Sequence, residues 1–246
     1  MNYVNDALRH VFAPAGELRV AINYGNPILA ARPVGGGEPT GVSVDVARRL
    51  AQTFCLPLKL VTVGSAGLSV KAVEDGLADV GFFAIDPVRA AQITFTAPYL
   101  IIEGCYLVRE ESSAQVLADV DTASQRIAVG LGSAYDLFLT REIKQATLIR
   151  APSSPAVVDT FLEQGLEVAA GVRQQLEADR SRHPGLRLIE EPFMQIRQAM
   201  GVPRARGKQA SEWLHSFVET LKAEGFIGEA LKRNGISGVS IAPPAH

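Results

Sequence analysis

The chain has 246 residues, of which 47% are hydrophobic and 20% charged, with a formal net charge of −2. That length suits one or two domains with a substantial core, and the near-neutral balance supplies no basic surface for nucleic acid or an anionic membrane. Cys55 and Cys105 fall in no metal-spaced or Cys-x-x-Cys motif, and His10, His183, His215 and His246 are scattered, so no metal, cofactor or catalytic triad is expected. Two buried free thiols are expected rather than a disulfide. No apolar run is long enough to span a membrane. The segment before residue 15 lacks the basic-then-apolar layout of a secretion signal. Either a signal was removed ahead of this numbering or the protein stays in the cytoplasm.

In chain order, a short helix is expected at 5–12 and a first strand at 17–22, followed by a turn at Tyr24-Gly-Asn-Pro27. Val46, Ala47, Leu50, Ala51 and Phe54 share one helical face. A strand at 58–63, a helix around Leu68 to Leu77 and a strand at 80–85 complete a βαβ series, which implies a parallel sheet. A second series follows. Its strands are at 126–130, 147–150, 168–171 and 186–189. Its helices are at 135–143, from Ser154-Pro155 onward by the cap-then-proline rule, and at 173–179. Residues 194–202 read as extended, helices at 208–224 and 226–234 close the chain, and 241–246 reads as a disordered tail. Two α/β series in one chain of this size imply two lobes.

The most informative stretch runs from Val80 to Val108. After its apolar strand comes Asp86-Pro87, a helix-start signal in which Asp caps and Pro occupies the first position. Arg89 then falls in the first turn at the carboxyl end of a strand, the edge where open α/β sheets bind ligands. A guanidinium beside free backbone N–H groups suits a carboxylate or phosphate; a solvated surface ion pair is the plain alternative. At Val129-Gly-Leu-Gly132-Ser133-Ala134, Gly132 permits close backbone approach and Ser133 can cap the following helix.

Ala84-Ile-Asp86-Pro-Val-Arg89 followed by Ile93-Thr-Phe-Thr-Ala-Pro-Tyr99 resembles the hallmark of family 3 extracellular solute-binding proteins. These are polar-amino-acid receptors of ABC transporters with the type 2 periplasmic-binding-protein fold. Gly41-Val-Ser-Val-Asp45-Val-Ala and Ala72-Val-Glu-Asp-Gly76-Leu-Ala-Asp79 resemble two further family segments, with Asp45 and Asp79 read as structural. The resemblance spans about residues 17–235 and implies an α/β fold of two lobes, each a mostly parallel sheet flanked by helices. Residues 1–108 with 199–246 would form lobe one and 109–198 lobe two. Two hinge strands would join them, with ligand in a cleft that closes around it.

By the same resemblance, Arg89 clamps the ligand carboxylate, and Ser133 with Ala134 binds it from lobe two. Tyr24 and Phe83 are candidate walls for the ligand side chain, and Asn26 a polar contact; ordinary packing and turn-holding are the alternatives. The departures are informative. Phe82 and Ala84 stand where the family often has Ser or Thr, Asp86 replaces Thr before the Pro, and Glu103 replaces a Gly at the lobe boundary. Arg173 falls where the family's ammonium-binding Asp is expected. An arginine there repels an ammonium and attracts a second anion, which points to an amine-free acid or a diacid. Alternatively, Glu103 with help from Asp86 takes over the ammonium.

The resemblance thus implies a monomeric, periplasmic receptor that hands a small carboxylated solute to an ABC permease. Two alternatives stand beside it. One is an enzyme like the cyclohexadienyl dehydratases on the same fold, with Glu103 or Asp86 as general acid; the other is a cytoplasmic ligand sensor. No residue is assigned a catalytic role in the main reading.

Overall fold

The computed structural model describes residues 4–33 and 35–245. In chain order its elements are α1 (Asp6–Phe12), β1 (Leu18–Asn23), α2 (Val42–Phe54), β2 (Leu58–Val63), α3 (Ala66–Glu74), β3 (Val80–Ala84), β4 (Ile93–Phe95) and β5 (Leu100–Arg109). There follow β6 (Arg126–Gly130), α4 (Ala134–Glu142), β7 (Thr147–Ala151), α5 (Val157–Glu163), β8 (Val168–Val172), α6 (Arg173–Arg182), β9 (Leu186–Pro203), α7 (Gly207–Ala223), α8 (Phe226–Arg233) and β10 (Ser240–Ile241). The chain divides into two compact units, residues 1–101 with 197–246 and residues 102–196. It leaves the first unit within β5 and returns within β9, against the 108/109 and 198/199 divisions expected from the sequence.

In the first unit β1 lies between β2 and β3, parallel to both, and the carboxyl half of β9 runs antiparallel to β3 and β4. All five residues of β3 are buried, which is why its sequence is a continuous apolar run rather than an alternating one. Phe83 packs with Ala21, Ala72, Val73, Ala78 and Ile93. On α2 the apolar stripe Val46, Ala47, Leu50 and Phe54 is buried as its spacing requires. Phe54, Phe12 of α1 and Trp213 of α7 then form an aromatic cluster with ring centroids 4.5 to 5.5 Å apart.

The same unit contains a buried ionic knot. The Asp79 carboxylate, its side chain wholly inaccessible, receives Arg19 Nε at 2.9 Å and Nη2 at 2.8 Å, the Arg19 backbone N–H at 3.0 Å, and Arg206 Nη2. Asp79 therefore ties β1, the entrance of β3 and the segment before α7 together. Asp45 does a similar task nearer the surface, accepting from Arg233 Nε at 3.1 Å and Asn234 Nδ2 at 2.9 Å at the end of α8.

In the second unit β6 is parallel to β7 and β8, and β8 is antiparallel to β5. Phe161 of α5, Leu176 of α6 and Leu107, Ala128 and Ala169 of the sheet share its core.

Three expectations need correction. The tail is docked: β10 pairs with β5, the Ala242 N–H donates to Tyr99 O at 3.1 Å, and Ala242 is buried. His246 lies outside the described residues. Residues 186–189 and 194–202 belong to one strand, β9, because its extended backbone serves both units. Both cysteines are free, as expected, but only Cys105 is buried; Cys55 follows the last turn of α2 in the left-handed region and is exposed.

Candidate functional site

The Arg89 end of β3 is built by its own sequence. The Asp86 carboxylate accepts the Val88 N–H at 2.8 Å, and the Asp86 carbonyl accepts the Ala90 N–H at 2.9 Å. A short 3-10 turn, Arg89–Ala91, follows in place of the expected α-helix. Proline at 87 is compatible with this start because its missing N–H has no intrahelical partner to find. The turn folds the Arg89 side chain back over the strand end, where Nη1 donates to the Ala84 carbonyl at 3.1 Å. Arg89 is only 5% exposed. Burial lowers its pKa to about 10, partly offset by the nearby Asp86 charge. The guanidinium is still charged at neutral pH, in surroundings that disfavour the charge, the setting in which a charge-assisted hydrogen bond to an anion is strong.

Around this end the faces of β3 sort the neighbouring residues. Phe83 is turned into the core and 2% exposed, so it is a packing residue and not a ligand wall. Phe82 and Ala84 lie on the opposite face, with Phe82 edge-on to Tyr99 at 6.1 Å. Gln198, a buried polar residue that sequence reasoning missed, sits directly opposite Ala84 in the β3–β9 ladder. Its neighbours Gln195 and Arg197 are polar but exposed, so nothing in the sequence marks Gln198 as the buried one.

Tyr24 is half-buried under Arg32, whose guanidinium carbon is 5.3 Å from the ring centroid. The Tyr24–Asn26 turn runs against residues 64–65: a Cβ on Gly25 would come within 2.8 Å of Gly64 O, so only glycine fits there. The Asn26 backbone carbonyl accepts from Leu29 and Ala30, while its side-chain Oδ1 is buried without a hydrogen-bond partner.

In the second unit, Gly132 has φ +68° and leads into Ser133, the N-cap of α4, whose Oγ accepts the Asp136 N–H at 3.0 Å. Asp136, at 3% exposure, returns its carboxylate to the Gly132 N–H at 2.9 Å and receives Arg150 Nε at 3.0 Å. The Ser133-x-x-Asp136 spacing was the legible signal for this brace. The Ser133 hydroxyl and Gly132 N–H are thus engaged within the protein. The first-turn amides of Ala134 and Tyr135 have no partner within the helix by its geometry, and they are the groups through which this turn can hold an anion.

Arg173 opens α6, and Glu103 stands across the β5–β8 ladder from it. Arg173 Nε donates to Glu103 Oε2 at 2.5 Å, Nη2 to the Glu190 carbonyl at 2.6 Å, and Nη1 lies 3.8 Å from the Glu190 carboxylate. Each side chain therefore already has a charged partner in the other. A lone second anion clamp at Arg173 and a lone ammonium partner at Glu103 are both replaced by an ion pair that fastens β5 and β9 to α6.

The sheet topology, with chain crossings in β5 and β9, and the anion-suited strand and helix ends define a type 2 periplasmic-binding-protein fold. The chain belongs to the bacterial extracellular solute-binding proteins, family 3, whose model matches residues 18–235. It is similar to the amino-acid-binding protein AabA of Dichelobacter nodosus, 24% identical over 230 residues that cover 91% of this chain and 90% of the relative. Among solved structures it resembles the solute receptor for L-cysteine of Neisseria gonorrhoeae, with TM-score 0.79 and 18% identity over 92% of each chain. It also resembles the ancestral amino-acid-binding protein AncCDT-1, described as a precursor of cyclohexadienyl dehydratase, with TM-score 0.76 and 16% identity over 93% of this chain and 99% of that one. At those identities the structural likenesses speak for the fold alone. Among the described residues no helix is long and apolar enough to cross a membrane.

Proposed function

We propose that the protein is the receptor of an ABC importer for a small carboxylated solute, an α-amino acid or a closely related organic acid. The observation that carries this reading is the buried Arg89 guanidinium, held at a strand end against the Ala84 carbonyl with its charge disfavoured by burial. Arg89 supplies the charge for the ligand carboxylate, and the Ser133–Ala134 turn of the other unit supplies backbone N–H groups for it. Tyr24, Asn26, Ala84 and Asp86 form the remainder of the first unit's contribution. The Arg173–Glu103 pairing leaves no lone second cation for a second carboxylate, which favours an amino acid over an amine-free diacid. Delivery is to a membrane permease from outside the cytoplasm, as for the family.

A thermal-shift screen against amino acids, dicarboxylates, and keto- and hydroxy-acids tests this. A ligand that binds the folded state stabilises it by RT ln(1 + [L]/Kd), about 2.7 kcal/mol at a hundredfold excess over Kd. At least one α-amino acid is expected to raise the melting temperature in this way. Shifts only with amine-free diacids would overturn the reading of the Arg173–Glu103 pair, and no shift with any carboxylate would overturn the function.

A further inference from the structure

The first unit also contains a cavity of about 570 Å³ between α1, the end of α2 and α7, within the size range of small-molecule sites. It shares no residue with the Arg89 or Ser133 elements. Trp213 and Phe217 stack along one wall with centroids 5.6 Å apart and planes 11° from parallel, and Leu221 continues it. The opposite side ends at Cys55, exposed and in the left-handed region with φ 52°. Trp213 is only 9% exposed, and its indole Nε1 has no hydrogen-bond partner. A buried donor of that kind is costly to leave unmatched.

The charges at the cavity are uneven. Arg49 and Glu224 pair with each other at 3.0 Å. Arg9 remains as the excess cation: its Nη1 reaches Asp6 at 3.1 Å, but that carboxylate is almost fully exposed, and Arg9 Nε is buried without a partner. An exposed pair of this kind contributes little and exchanges readily for a better anion. We infer that this cavity is a second binding site, for an amphipathic organic anion with a flat aromatic body and a carboxylate or sulfonate head. The body lies along Trp213 and Phe217 while the head meets Arg9. This site stands whether or not the Arg89 reading holds.

Trp213 is the single tryptophan of the chain, so its fluorescence reports on this wall directly. The probe is 8-anilinonaphthalene-1-sulfonate, titrated into the full-length protein under native conditions. Saturable one-to-one energy transfer from Trp213 is expected, unchanged by Arg89→Met. Labelling Cys55 with a bulky maleimide should abolish it. Cys105 is buried, and burial pushes its thiol up to about 11, so it escapes the reagent; Cys55→Ser should bind the probe and ignore the maleimide. Arg9→Gln should weaken the sulfonate at least fivefold and leave the uncharged N-phenyl-1-naphthylamine unaffected. Non-saturable binding, binding that survives Cys55 labelling, or equal effects of Arg9→Gln on both probes would overturn the proposal. So would a dimer in sedimentation that Cys55 labelling dissolves, since the cavity would then belong to a second copy of the chain.

Discussion

Arg89→Met is expected to abolish solute binding while leaving the ligand-free protein as stable as before. Removing one member of a buried, hydrogen-bonded charge pair costs about 2 to 5 kcal/mol or more in affinity, roughly a thirty- to several-thousand-fold loss. In the proposed function the other member is the ligand carboxylate. The stability half of the expectation comes from the sign of the shift at Arg89, whose pKa falls from 12.5 to about 10 on folding. The folded state then binds fewer protons than the unfolded state between those values, so stability rises with pH across that window. Below it, at neutral pH, the desolvation cost of the charged group is fully present. Methionine keeps the apolar stem and removes that cost, which offsets the loss of the bond to the Ala84 carbonyl. Calorimetric titration and a melting curve on the same sample check both halves. An arginine with a merely structural role would give the opposite pattern, a lowered melting temperature with affinity intact.

The second large effect is on stability. Asp79→Asn should destabilise the protein by about 3 to 5 kcal/mol, since breaking a buried ionic cluster by removing one partner leaves its counter-charges unmet. Arg19 and Arg206 would both lose the carboxylate they share. For a chain of this size that corresponds to a melting-temperature drop of roughly 6 to 20 °C. Adding Arg206→Met to Asp79→Asn should restore part of the loss by removing one of the stranded cations. Glu38→Gln is the control: its pair with Arg48 is largely exposed and is worth under about 1 kcal/mol. Denaturant unfolding of the four proteins decides. A value for Asp79→Asn no larger than the control would mean that the knot is not what holds β1, β3 and the α7 segment together.

The contrast between Asp79 and Arg89 separates what the sequence could reveal from what it could not. Periodicity and caps located most elements: β2 and β6 have the bounds their patterns suggested, and Ser133 accepts the N–H bond expected of a cap. The Arg89 turn was legible because its signals are local, an apolar run followed by Asp-Pro. The orientation of Phe83 was not, because β3 is buried on both faces and a strand of that kind loses the alternation that marks inside from outside. Long-range pairings escaped for a different reason. Arg173 meets Glu103 only because the β5–β8 register places Gly104 opposite Val172, and register is a property of the folded sheet. Asp79 with Arg206, and the tail with β5, depend in the same way on partners far along the chain. Gln198 gave no sign of itself, since Gln195 and Arg197 beside it are polar too and exposed, and only the fold shows that Gln198 alone of the three is buried.

The central claim is that Arg89 holds a carboxylate. Its most direct test is a calorimetric titration of the wild-type protein with the solute identified by thermal shift, alongside the same solute converted to its primary carboxamide. The two differ by little more than the charge that the guanidinium is there to meet. The acid should bind at least a hundredfold more tightly than the amide, a difference of about 2.7 kcal/mol. Equal affinities would show that no carboxylate is being clamped and that Arg89 serves the fold alone.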